Sequence, residues 1–90
     1  MSEYFYVYVL RSIKDGGFYT GFTKNLRKRL EIHNKGKVKS TKYRRPFELV
    51  YFEACLNDSD ALHREKYLKT TYGKRFLNNR IENYLSMYYH

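Results

Sequence analysis

Seven consecutive residues, Tyr4-Phe5-Tyr6-Val7-Tyr8-Val9-Leu10, are aromatic or aliphatic without a polar interruption. Such a run predicts a strand covered on both faces. Asp15-Gly16-Gly17 marks a hairpin turn, and Phe18 to Thr23 supplies the returning strand. If Asp15-Gly16 is a two-residue turn, Lys14 opposes Gly17, and even-numbered residues of the first strand share a face with odd-numbered residues of the second. Tyr6, Tyr8, Tyr19 and Gly21 then lie together.

From Leu26 the pattern changes period. At about 100° per residue, Leu26, Arg29, Leu30 and His33 fall in one arc and Arg27, Lys28 and Glu31 fall opposite. This predicts a helix capped by Thr23 or Asn25 and ended by Asn34 to Gly36, with Arg29 and His33 turned toward the sheet. Residues 35 to 45 form a basic loop closed by Pro46, and Phe47 to Ala54 reads as a third strand. Asn57-Asp58-Ser59-Asp60 caps a second helix in which Glu65 sits amid Ala61, Leu62, Leu68 and Tyr72. Gly73 is expected to interrupt that helix. Phe76, Leu77, Ile81, Tyr84 and Leu85 then give a third. The expected fold is α/β in the α+β sense: one domain, 1–90, with a three-stranded, mainly antiparallel sheet flanked by three helices.

Composition narrows the function. The chain has 90 residues, 19% aromatic with eleven tyrosines, enough to fill a small core while leaving hydroxyls at its edges. Eighteen Lys and Arg against nine Asp and Glu give a net charge of +9, so a polyanionic partner is expected. The longest apolar run is too short to span a bilayer, no signal peptide is evident, and the expected location is cytoplasmic. Cys55, the only cysteine, excludes an internal disulfide and argues against a thiolate zinc site.

Several side chains in this framework have types suited to phosphodiester hydrolysis. Tyr8 and Tyr19 are phenols able to move a proton or contact phosphate, provided that nearby cations lower their pKa. Arg29 faces inward with two leucines, where a guanidinium calls for an anion. His33, one turn on, either orients or relays a proton for Tyr8 or is only a hydrogen-bonded helix histidine. Glu65, in an apolar stripe, either pairs with Arg29 or binds a cation; with phosphate and water it would suit Mg²⁺ or Mn²⁺. Tyr4, Tyr6 and Tyr51 read as half-buried core, His63 as exposed, and His90 carries no role. Lys37, Lys39, Lys42, Arg44 and Arg45, interleaved with Ser40, Thr41 and Tyr43, are expected to contact a phosphate backbone without reading bases.

Eleven positions separate Tyr8 from Tyr19, ten separate Tyr19 from Arg29, and four separate Arg29 from His33. With Tyr6-Val7-Tyr8, Tyr19-Thr20-Gly21 and Ala61-Leu62-His63-Arg64-Glu65, the chain resembles the GIY-YIG endonucleases along nearly its whole length, most of all the small stand-alone members and the nuclease domain of the excinuclease C subunit. It departs from the name motif at Tyr6, Val7 and Thr20. The resemblance implies a metal-dependent DNA endonuclease of repair or recombination. It gives Tyr8 as the group taking a proton from water, Tyr19 as a phosphate or water contact, Glu65 as the single protein ligand to the metal, and an asparagine among Asn78, Asn79 and Asn83. A nucleic-acid-binding module of the same fold is the alternative.

Overall fold

The computed structural model describes residues 3–88; His90 lies outside them. The elements run β1 (Phe5–Ser12), β2 (Phe18–Thr23), α1 (Leu26–Asn34), a 3₁₀ turn (Lys42–Arg44), β3 (Phe47–Cys55), α2 (Asp58–Leu68), α3 (Thr71–Arg80) and α4 (Glu82–Ser86). The three strands form one antiparallel sheet in the order β2-β1-β3. The expected α+β architecture holds, with four α-helices among the described residues where three were expected.

The central strand explains its own composition. Val7, Tyr8, Val9 and Leu10 are all buried because β1 has a neighbour on each side and a layer on each face. Val7 packs with Ala61 of α2, Leu68 and Phe76 on one face. On the other, Tyr8, Leu10 and Phe47 pack with Leu26 and Leu30 of α1. A bulge between Val9 and Leu10 adds one residue on β3, so Val9 faces Tyr51 while Leu10 faces Leu49.

The hairpin is looser than a two-residue turn. Ser12 donates its N–H to Gly17 O at 2.9 Å, leaving Ile13 to Gly16 as a four-residue loop with Gly16 at φ +76°. Side chains set this geometry. Asp15 Oδ1 accepts the Gly17 N–H at 2.7 Å, and Ser12 Oγ accepts the Asp15 N–H at 3.1 Å. The register therefore moves by two residues from the expected one, pairing Tyr8 with Gly21 and Leu10 with Tyr19. A two-residue shift preserves the alternation, so the two tyrosine motifs do share a face.

The expected break at Gly73 is displaced to Thr70. There the hydroxyl accepts the Gly73 N–H at 3.1 Å and caps α3, so Gly73 belongs to the first turn of α3. A Cβ on Gly73 would collide with the Tyr67 carbonyl and come within 2.5 Å of Leu68 Cα. The glycine marks a close helix crossing, and α2 ends at Leu68, five residues before it. Within α2, Ala61 and Leu68 are buried as expected, but Leu62 is exposed, as is Tyr72 in α3. The stripe around Glu65 is therefore narrower than the sequence suggested.

Ion pairs tie the outer pieces to the sheet. Arg64 of α2 grips Glu53 of β3 through Nε at 2.9 Å and Nη2 at 2.9 Å, and stacks 4.5 Å above the Phe76 ring. Tyr84 of α4 donates to Glu48 of β3 at 2.7 Å.

Candidate active site

The face of the sheet under α1 gathers four of the five residues picked out by the sequence. β1 supplies Tyr8, β2 supplies Tyr19, and successive turns of α1 supply Arg29 and His33. Asn25 starts α1 by accepting the Lys28 N–H at 3.1 Å, which sets the helix phase that turns Arg29 and His33 inward. Tyr8 is 2% exposed and His33 is fully buried. The Tyr8 hydroxyl lies 2.9 Å from His33 Nε2 and accepts from Arg29 Nε at 3.3 Å. The Tyr19 ring packs edge-on to His33 at 5.0 Å and tilts against Tyr8 at 6.4 Å.

Gly21 makes this arrangement possible. It sits directly opposite Tyr8 on β2, and a Cβ there would overlap the Tyr8 hydroxyl and approach Cζ within 2.5 Å. The phenol lies across the bare backbone of Gly21, close to the place any side chain at 21 would fill.

Burial dominates the electrostatics. It raises the Tyr8 pKa above its ordinary value of 10, outweighing the hydrogen bond and charge of Arg29; Tyr19 and Glu65 push it up further. Arg29 does lower this phenol as expected, but burial outweighs it in the chain on its own, and Tyr8 is a neutral donor. His33 is pulled down to about 4, first by burial and then by Arg29, so its imidazole is neutral at pH 7 and able to accept.

Glu65 is not paired with Arg29. Its carboxylate takes Lys69, one turn along α2, at 3.1 Å, with the glutamate side chain 18% exposed and the lysine 54%. An i,i+4 pair this open is worth only about 0.3–0.5 kcal/mol, so Lys69 can yield to a stronger cation. Among the described residues no three His, Cys, Asp or Glu side chains cluster as a metal cage. Glu65 would offer an ion a carboxylate oxygen, a donor that fits a hydrated, oxygen-seeking Mg²⁺ or Mn²⁺. Next to it, Tyr19, Thr20, Lys69, Lys74 and Asn78 line a cavity of about 470 Å³. Of the three candidate asparagines, Asn78 is the one lining it.

The basic loop is partly committed to structure. Arg44 is locked to Asp15 through Nε at 2.9 Å, which holds the Asp15 carboxyl down at about 2. Arg45 donates to the Lys42 carbonyl at 2.8 Å, and Lys42 lies 4.8 Å over the Tyr43 ring. Lys37 and Lys39 are exposed. Tyr4 is exposed, Tyr6 and Tyr51 are half-buried, His63 is exposed, and Cys55 packs partly against the core near α2.

One polar residue beside His33 escaped the sequence reading. Thr41, fully buried, places Oγ1 2.9 Å from His33 Nδ1. Its partner is eight residues away across an irregular loop, so no helix or strand period points to it. Only its hydroxyl within a run of exposed cations could have drawn notice.

Comparison with known proteins agrees with this geometry. A family model described as the GIY-YIG catalytic domain matches residues 4–87. A UPF0213 protein of Oceanobacillus iheyensis is 44% identical over 70 residues, covering 77% of this chain and 80% of that one. A UPF0213 protein of Clostridium perfringens is 49% identical over 65 residues, covering 71% and 69%. The solution NMR structure of a UPF0213 protein from Bacillus halodurans superposes with a TM-score of 0.52 at 35% identity, covering 84% of this chain and 83% of that one.

Proposed function

This chain belongs to the GIY-YIG catalytic-domain family, and from that premise we propose that it is a divalent-metal-dependent endonuclease hydrolysing DNA phosphodiester bonds, in repair or recombination. The observation that carries the reading is the phenol of Tyr8 held between a permanent cation, Arg29, and a neutral imidazole, His33. A tyrosine serving only as core would need one hydrogen-bond partner for its hydroxyl, not a permanent cation as well.

The chemistry follows from these contacts. A water enters beside Tyr8 and attacks phosphorus; its proton passes to the Tyr8 oxygen as the Tyr8 proton passes to His33 Nε2. The phenol thus relays a proton without first ionising, which suits a group whose pKa is raised. Phosphate drawn to Arg29 brings negative charge beside His33, offsetting the repulsion that lowers its basicity. The same guanidinium meets the charge that grows on phosphorus oxygens in the transition state. Tyr19 holds phosphate or water at the other side of Tyr8. The leaving sugar oxygen takes its proton from solvent. Glu65 would hold the divalent ion, which when bound would supply Lewis-acid charge at the phosphate.

DNA engagement draws on the +9 charge, with Lys37, Lys39 and Lys42 contacting backbone phosphates and Arg44 and Arg45 shaping the loop as well as contributing charge. Selectivity by DNA structure is favoured over base reading, since the loop carries no helix or ribbon for a groove. No helix among the described residues is long and apolar enough to cross a membrane.

Labelled nicked, branched, flapped and plain duplex DNA, incubated with the protein with and without Mg²⁺ or Mn²⁺, tests the reading. Cleavage should require the ion, and Tyr8→Phe should lower it by about 100-fold or more. No cleavage of any substrate, or equal cleavage by Tyr8→Phe, would sink it.

A further inference from the structure

The hydrogen-bond chain behind Tyr8 has a direction that its donors and acceptors dictate. Arg29 can only donate, so at that contact the Tyr8 oxygen accepts. The single phenolic hydrogen, on a residue 2% exposed, then has His33 Nε2 at 2.9 Å as its acceptor. For Nε2 to accept, the neutral ring must carry its proton on Nδ1. That proton points at Thr41 Oγ1, 2.9 Å away and fully buried, and the Thr41 hydroxyl hydrogen has the Val38 carbonyl at 3.4 Å. The Arg29 Nε–H, the Tyr8 O–H, the His33 Nδ1–H and the Thr41 O–H each have an acceptor in this one arrangement. With the proton on Nε2, the phenolic hydrogen would lose its only neighbouring acceptor.

We propose that Thr41 is a positioning residue that fixes His33 as the Nδ1–H tautomer, so that Nε2 presents a lone pair to the Tyr8 hydroxyl. An unconstrained neutral imidazole favours the proton on Nε2, so a chain without the Thr41 acceptor would drift to the wrong tautomer. The ring itself is clamped elsewhere, by Tyr19 at 5.0 Å, Tyr8 at 5.8 Å and Phe47 at 6.0 Å. Thr41 therefore governs where the proton sits, while the aromatic rings govern where the imidazole sits. Arg29, one turn earlier on α1, is the charged group whose field acts on the imidazole. For its consequence on cleavage the assignment rests on the nuclease reading; for the tautomer it does not.

The test uses ¹⁵N-labelled intact protein and the imidazole nitrogen shifts of His33 at neutral pH. Unaltered protein and Thr41→Ser should both show protonated Nδ1 and bare Nε2. Thr41→Val, nearly the same shape without the hydroxyl, should move the proton to Nε2 in a large share of molecules. The same substitution should lower kcat roughly 10- to 100-fold, the scale seen when the outer partner of a functional histidine is lost. Its DNA Kd should be unchanged, Thr41→Ser should restore the rate, and the pH profile should differ between the two variants. Nε2–H in the unaltered protein, or an unchanged tautomer in Thr41→Val, overturns the proposal. If Thr41→Val fails to fold, the shifts of unaltered protein and Thr41→Ser decide it. Protein that cuts no DNA yet shows the Nδ1–H pattern overturns the nuclease reading and upholds the tautomer assignment.

Discussion

Replacing Gly21 by alanine adds one methyl group and tests the geometry around Tyr8 more sharply than removing any side chain. The backbone is not the obstacle, since the glycines with left-handed φ are Gly16 and Gly36. On backbone grounds alone the substitution would stabilise by about 0.4–1 kcal/mol through the unfolded chain. Against that, the new Cβ would overlap the Tyr8 hydroxyl, with Cζ at 2.5 Å and Cε1 at 2.9 Å, where ordinary contact begins at 3.4 Å. The phenol must retreat by roughly 1 Å. Little room exists, because the ring is buried between Tyr19 and His33. Overpacking of this kind costs about 1–3 kcal/mol, so the steric term wins and the net loss is about 1–2 kcal/mol. For a domain of this size each kcal/mol moves Tm by about 4–8 °C, giving a fall of roughly 4–15 °C by circular dichroism. Displacing the phenol from His33 and Arg29 should slow cleavage by about 100-fold. The Tyr8→Phe, Gly21→Ala double variant should lose less stability than the two single losses combined, because both act on the same hydroxyl. An unchanged or higher Tm together with an unchanged rate would show that Tyr8 does not lie across Gly21.

Three further outcomes are expected. Glu65→Gln should keep the fold, lose cleavage and metal affinity, and bind DNA as well as the parent or better; calorimetric titration with Mn²⁺ checks the metal, and normal cutting would remove Glu65 from the site. Because the folded pKa of His33 lies near 4 against 6.5 unfolded, the unfolded chain binds more protons between those values, so stability should decline as pH falls from about 6.5 to about 4. In His33→Gln that slope should shrink, and denaturation at pH 7 and pH 5 is the comparison to make. DNA affinity should fall with salt at a log–log slope of roughly −0.9 per phosphate neutralised on duplex, and scrambled sequences should bind alike; a flat response refutes backbone-driven binding.

The strands and α1 were legible because their residues announce a period, and Asn25, Asn57 and the Asp15-Gly16 turn announce ends. Tyr8 and Tyr19 came onto one face although the turn was read too tight, because pairing parity survives a shift of two. Contacts across the fold were less visible. Nothing local shows that Glu65 takes Lys69 in place of Arg29, although the i,i+4 spacing allowed it. Likewise Gly73 reads as a helix breaker until the packing of α3 on the end of α2 shows what its missing Cβ spares. The lowering of Tyr8 by Arg29 is legible, but the larger opposing effect of burial is not, since a sequence displays the cation but not the depth at which the phenol is buried.

Tyr8 and His33 are at once the proposed reactive groups and, among the described residues, two of the largest fully enclosed side chains. Natural selection therefore sees them twice. If the proposed activity were no longer selected, small replacements of either would still weaken the fold by leaving a cavity, whereas Glu65, whose exposed lysine partner contributes little, and the half-buried Arg29 could be lost at smaller cost. Decay in such a lineage should strike those two positions first, leaving Tyr8 and His33 behind as a fossil. Tyr8 and His33 alone would thus record ancestry, and under the proposed nuclease reading the glutamate and arginine would report whether the activity survives.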